Sequence, residues 1–156
     1  MESQKNVLIT TVLNSIGSLV NDEFWNYIIQ FILDLKEKQY NELIYTYILK
    51  NLLPLSKKKF SSNVIDKYII QDDDLSIKLI NHMIENKLIG EMISDQYGNY
   101  VIQKALNVTS GLLFMNIIKQ IQLTIETLKQ SNIGRKIYDH LMRKYGDYFR
   151  ESIIKE

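Results

Sequence analysis

Apolar residues recur along this chain at helical spacing, and the whole pattern then repeats one unit later. With Asn26, Ser62, Asn99 and Arg135 taken as equivalent anchors, the intervals are 36, 37 and 36 residues. Two positions before the anchors stand Phe24, Phe60, Tyr97 and Ile133, and two positions after them Ile28, Val64, Val101 and Ile137. Six after come Ile32, Tyr68, Ala105 and Leu141; seven after come Leu33, Ile69, Leu106 and Met142. These offsets predict one apolar stripe on a helix in each unit. A fixed period in this range marks a stacked-helix array.

The segments ahead of each anchor align as well. Seven residues earlier stand Leu19, Leu55, Met92 and Leu128, and ten earlier Ile16, Leu52, Ile89 and Ile125. They predict a longer first helix in each unit, over about 7–20, 41–53, 75–93 and 112–128. Pro54 is expected between the two helices of its unit, where no interior hydrogen bond is lost. Asp22, Ser56, Asp95 and Ser131 are expected to cap the second helices. The fold class that follows is an all-α solenoid of two-helix units, at about 1–36, 37–73 and 74–109, closed by a degenerate unit over 110–156.

Composition narrows this picture without redirecting it. Apolar residues make up 46% and charged residues 24%, a globular balance. One proline and six glycines are too few for a long all-β chain with regular turns. Cysteine is absent, which removes disulfides, thiolate metal sites and cysteine nucleophiles. Formal net charge is +1, so any anionic partner must be met by segregated charge. Basic runs occur at Lys57-Lys58-Lys59, Arg135-Lys136 and Arg143-Lys144, and an acidic one at Asp72-Asp73-Asp74, which reads as an inter-unit turn. No segment reads as a membrane span. The stretch 7–20 is interrupted by Thr10, Thr11, Asn14 and Ser15, and is read as a helix of the first unit rather than a signal peptide.

The anchor and the residue four later share a face of the second helix, with the residue after the anchor beside them. The resulting triples are Asn26–Tyr27–Gln30, Ser62–Asn63–Asp66, Asn99–Tyr100–Gln103 and Arg135–Lys136–Asp139. The first and third are identical. Short polar residues do little for a helix interior, so their repetition points to a surface with a function. Catalytic patterns are missing: His82 and His140 fall in different units, and no Walker loop or HExxH occurs. No enzyme activity, cofactor or metal is expected.

YGNYVIQ at 97–103, KFSSNVIDK at 59–67 and NYIIQ at 26–30 resemble the repeats of the Pumilio (PUF) family. Their order resembles the sixth to eighth repeats of the usual eight, and IGRKIYDHLMRKYG at 133–146 resembles the C-terminal cap. The resemblance implies a partial Pumilio homology domain over 1–156, wound as a right-handed, ARM/HEAT-like superhelix. It implies one RNA base per repeat, with anchor and fifth residue on the base edge and the second residue stacking. Asn26/Gln30 and Asn99/Gln103 would then take uracil and Ser62/Asp66 guanine, with Tyr27, Asn63 and Tyr100 as the stacking layer. The chain runs antiparallel to the RNA in this family, so the element is 5′-UGU-3′. The implied partner is single-stranded mRNA, through its 3′-UTR. Proteins of mRNA repression or decay would accompany it, in the cytoplasm.

The chemistry agrees with that assignment. A side-chain amide both donates and accepts, as a uracil edge does, whereas a carboxylate only accepts and suits guanine's N–H donors. Two departures stand out. The family usually has Glu where Asp66 stands, which shortens the reach. Trp25 fills a slot occupied by Ser61, Gly98 and Gly134 elsewhere, so it is expected to distort the first unit or to cover its open flank. If that flank is open, self-association or capture of another helix follows. Two alternative readings share the architecture: a protein-interaction solenoid, and a sequence-blind binder of ribosome-biogenesis RNA.

Overall fold

A computed structural model describes residues 2–71 and 74–153. Every regular element among them is α-helical: α1 (Glu2–Asn14), α2 (Ile16–Leu19), α3 (Trp25–Asp34), α4 (Lys38–Ser56), α5 (Ser61–Ile69), α6 (Asp74–Glu85), α7 (Ile89–Ile93), α8 (Gly98–Val108), α9 (Gly111–Leu128) and α10 (Asn132–Ile153). Asp72 and Asp73 of the acidic turn lie outside the described residues. The short helices α3, α5 and α8 lie side by side in one layer, and α1, α4, α6 and α9 form the layer behind them. The expected all-α solenoid of two-helix units is therefore the observed architecture.

The core runs unbroken between the layers. Ile29, Ile32 and Leu33 of α3, Val64, Ile65, Tyr68 and Ile69 of α5, and Val101, Ile102, Ala105 and Leu106 of α8 are all buried. The stripe is displaced from the expected one. Phe24 and Ile133, two before the anchors, are exposed, and Phe60 and Tyr97 are only partly buried. Phe24, Phe60 and Tyr97 stand just ahead of their helices, so helical periodicity does not govern them. The position three after the anchor, Ile29, Ile65 and Ile102, is fully buried instead.

The long first helices are not continuous. A break at Ser15 separates α1 from α2. The helix predicted over 75–93 divides into α6 and α7, because Lys87 adopts a left-handed backbone (φ 55). There Leu88 N–H donates to Met83 C=O at 2.9 Å and Lys87 N–H to Ile84 C=O at 3.1 Å, a Schellman stop. In α4 the helix bends at Asn51 (φ −127, ψ 18), and Pro54 lies inside the last turn rather than between helices. A proline ring clashes with the carbonyl four residues back, here Lys50, which accounts for a bend at that point.

Three of the four expected caps accept from amides at the starts of their helices. Asp22 accepts from the Phe24 and Trp25 amides at 2.8 and 3.0 Å, which holds its carboxyl below the ordinary range. Asp95 accepts from Tyr97 and Gly98 at 2.8 and 2.9 Å, and Ser131 from Gly134 at 2.9 Å. Ser56 is not a cap: it is buried and donates to Leu53 C=O at 2.7 Å. The periodic position is Lys58, which has no acceptor to offer.

Units are tied to their neighbours by bonds that span about one repeat. Gln71 donates to Leu33 C=O at 2.9 Å and Gln120 to Ile84 C=O at 2.6 Å. Tyr40 donates to Asn6 at 2.6 Å, and Tyr145 of α10 to Asn107 of α8 at 2.8 Å. At the N-terminal side this stacking surface is open. Ile28 is 42% exposed, although its equivalents Val64 and Val101 are fully buried, and Val7, Leu8 and Phe31 are exposed with it. Trp25 does not close the gap, being itself 42% exposed.

The slot before the anchor demands a small residue. A Cβ on Gly98 would stand 2.6 Å from Met92 O, and one on Gly134 would stand 1.8 Å from Leu128 O. Ser61 fits by donating to the equivalent carbonyl of Leu55 at 2.6 Å. Gly134→Ala is therefore expected to lower stability by about 1–3 kcal/mol in urea unfolding. Gly146→Ala, whose added carbon meets nothing closer than 3.9 Å, should be neutral or stabilising by up to about 1 kcal/mol.

Candidate nucleic-acid interface

The triples come together on the open face of α3, α5 and α8. Two adjoining clefts lie on that face. The larger, about 510 Å3, is bounded by Ser62, Asn63 and Asp66 on one wall and Tyr100 and Gln103 on the other. The smaller, about 260 Å3, places Tyr27 and Gln30 opposite Asn63 and Asp66. Asp66 thus stands between the two amide sites, as the order of the repeats requires.

The first and third sites have the same internal geometry. Asn26 donates through Nδ2 to the Asp22 and Glu23 carbonyls at 2.8 and 3.0 Å, and accepts from Gln30 Nε2 at 3.0 Å. Asn99 donates to the Asp95 and Gln96 carbonyls at 2.8 and 3.0 Å, and accepts from Gln103 Nε2 at 2.8 Å. Both anchors are buried, Asn26 at 0% and Asn99 at 4% exposure. Each anchor amide therefore ties the helix start and holds the glutamine. The glutamine is left with its carbonyl and one N–H free, an acceptor and a donor side by side.

Tyr27 and Tyr100 are 65% and 61% exposed, and Asn63 is exposed between them. Flat rings standing off a polar face are suited to stacking. In the second site Ser62 is buried and its hydroxyl donates to Lys59 C=O at 3.3 Å. Asp66 is half-buried, and its Oδ1 is buried without a hydrogen bond. Burial pushes this carboxyl up to about 6, with the Lys104 charge acting against that rise. When ionised, this carboxyl offers only acceptors to the clefts it lines, which suits N–H donors.

Six residues at this face escaped the triples: Lys59, Tyr97, Lys104 and Asn107 at the larger cleft, with Lys67 and Ile70 at the smaller. Lys104 was legible in principle, since it repeats Lys67 five places after the anchor. Lys59 sat in a basic run that reads equally well as a solvated turn. In the degenerate fourth unit Arg135, Lys136 and Asp139 are exposed, and Arg135 bonds to Asn132. Among the described residues no cluster of His, Asp and Glu could hold a metal, and no helix is long and apolar enough to cross a membrane.

Comparison with known proteins decides the lineage. The family described as the Pumilio-family RNA binding repeat matches residues 89–122, which hold α7, α8 and the first part of α9. A Pumilio domain-containing protein of Schizosaccharomyces pombe is 32% identical over 153 residues, covering 97% of this chain and 22% of its own length. The chain belongs to the Pumilio repeat family. Pumilio homolog 12 of Arabidopsis thaliana is 30% identical over 90% of the chain and 24% of its own. Among solved structures, the Puf3 RNA binding domain bound to an RNA 3′ UTR recognition sequence is 27% identical, with a TM-score of 0.76 over 98% of this chain and 44% of that one. PUF-8 in complex with PBE-RNA shares the fold with a TM-score of 0.84 at 23% identity, over 93% and 44%. This Pumilio chain spans about a quarter or less of those two curated relatives and under half of those two solved chains.

Two stability measurements separate the buried anchor from the glutamine it holds. Asn99→Ala strands two carbonyls at a helix start and should cost about 1–3 kcal/mol in denaturant unfolding, whereas Gln103→Ala should stay within about 0.5 kcal/mol. Asp66 carries a pH signature. Its folded value of about 6 lies above the ordinary 3.8, so its charge destabilises the folded chain above pH 6 and the cost fades on acidification to about 4. Asp66→Asn should be more stable than the parent at pH 7.5, by at most about 3 kcal/mol. The two should converge near pH 4 in thermal melts.

Proposed function

We propose that this chain binds single-stranded RNA and reads a 5′-UGU-3′ element, one base per repeat. The observation that carries the reading is the symmetric placement of two relayed Asn–Gln pairs around one carboxylate that lines both clefts. Gln103 with Asn99 takes the first uracil, Asp66 with Ser62 the guanine, and Gln30 with Asn26 the second uracil. Each glutamine matches a donor–acceptor edge. The Asp66 carboxylate accepts from guanine N1–H and N2–H and repels the uracil carbonyls. Tyr27, Asn63 and Tyr100 separate the bases. Membership of a family of RNA binding repeats, and the RNA bound to the similar Puf3 domain, support this reading.

The biological role that fits is binding of mRNA 3′-UTRs in the cytoplasm, with regulation of translation or stability through recruited or excluded proteins. It is a binding role, not a catalytic one. Three bases supply roughly 3–9 kcal/mol of stacking. Association costs at least ~4 kcal/mol, so stacking alone leaves at most ~5 kcal/mol, a Kd of about 0.2 mM, and any tighter binding must come from the base-edge hydrogen bonds.

A polarisation titration with a short UGU-containing RNA, against the same RNA carrying ACA, tests the reading. UGU should bind at least about tenfold tighter, a difference of ~1.4 kcal/mol. Equal affinities, with a steep dependence on salt, would instead establish sequence-blind backbone binding.

A further inference from the structure

Lys67 and Lys104 occupy the same repeat position, five residues after Ser62 and Asn99. Their surroundings differ. Lys67 is engaged by Asp34 of the preceding unit at 2.7 Å. Asp34 lies eight residues after its own anchor, and the residue eight after Ser62 is Ile70. That neighbour offers Lys104 no carboxylate. Lys104 is half-buried and lines both clefts that Asp66 lines. The titratable and charged groups that face Asp66 are Tyr27 from α3, Lys59 and Lys67 from its own unit, and Tyr97, Tyr100 and Lys104 from the third. Lys67 is neutralised by Asp34, and Lys59 lies over the Phe60 ring at 5.1 Å. Lys104 is the cation among them whose field reaches the carboxylate.

We propose that Lys104, a residue of the third repeat, sets the base preference of the second repeat by keeping Asp66 anionic in the cleft between α5 and α8. This rests on the guanine assignment of Asp66 made above. The physical point is that a protonated carboxyl is a different reader. It gains an O–H donor and loses acceptor capacity, so it tolerates a carbonyl edge such as that of uracil and binds guanine's two donors less well. Asp66 has reason to protonate, because it is a short side chain held partly out of water. A cation across the cleft opposes that tendency without touching the base. Lys104 is thus a positioning residue for charge, and one repeat's specificity depends on its neighbour.

The test uses the full chain and two short RNAs, one with UGU and one with UUU, titrated between pH 5 and 8.5. Carbon-13 NMR of the Asp66 carboxyl follows its ionisation in the free protein over the same range. In the parent chain the preference for UGU should fade below about pH 6. In Lys104→Met both the carboxyl midpoint and the loss of preference should move up by about one pH unit. Lys104→Arg should restore the parent midpoints. Lys104→Gln, which keeps a polar end, gives the same reading should the methionine variant lose helicity. Unmoved midpoints in Lys104→Met or Lys104→Gln overturn the inference while leaving the guanine assignment intact. So does an equal loss of affinity for UGU and UUU with a shallower salt dependence, which marks a phosphate contact. A parent chain with no preference for guanine at any pH overturns the assignment, and the inference with it.

Discussion

The helices α5, α8 and α10 each begin against the end of the helix before them, packed on a backbone carbonyl. No Cβ fits at residues 98 and 134, and at residue 61 the one that does carries a hydroxyl bonded to that carbonyl. The contact leaves little freedom in how α5, α8 and α10 cross their partners. Because the crossing repeats, the anchors of successive units fall in line, and so do the residues one and four places later. Trp25 is the exception, and it is itself 42% exposed.

This geometry explains why buried and exposed polar residues alternate on one face. The anchor sits at the first turn, where helix N–H groups and the preceding carbonyls crowd together. An asparagine there is consumed by local bonds to two carbonyls. Its remaining acceptor orients the glutamine one turn later. The glutamine loses rotamer freedom before any ligand arrives, which is the usual route to affinity from few contacts.

The central site follows a different physical logic. Ser62 and Asp66 form no relay, and the shorter carboxylate leaves one oxygen buried and unbonded. The folded chain tolerates an unfavourable burial of charge at the position proposed to read guanine. Such local violations of good packing practice are expected at functional sites rather than in the scaffold. The acidity of Asp66 is an outcome of two opposed effects, burial and the field of Lys104, and neither belongs to the second repeat alone.

Period, helix pairing and the composition of every triple were legible in the chain, because apolar side chains must recur wherever one unit stacks on the next. The resemblance of YGNYVIQ and KFSSNVIDK to Pumilio repeats carried the lineage. Less was legible where backbone detail rules. The stop at Lys87 and the bend at Asn51 depend on local dihedral choices, and the exposure of Phe24 on its standing just ahead of α3. Ser56 looked like a cap because it is a serine near a helix start, yet the register puts Lys58 there. Sequence alone therefore determined which residues share a face, since that needs only the 3.6-residue turn and a constant repeat. Tertiary structure alone decided which of them are spent inside the protein and which remain free. It also decided that Lys104 of one unit faces Asp66 of another, because burial and electric field arise only when separate units are brought together in space.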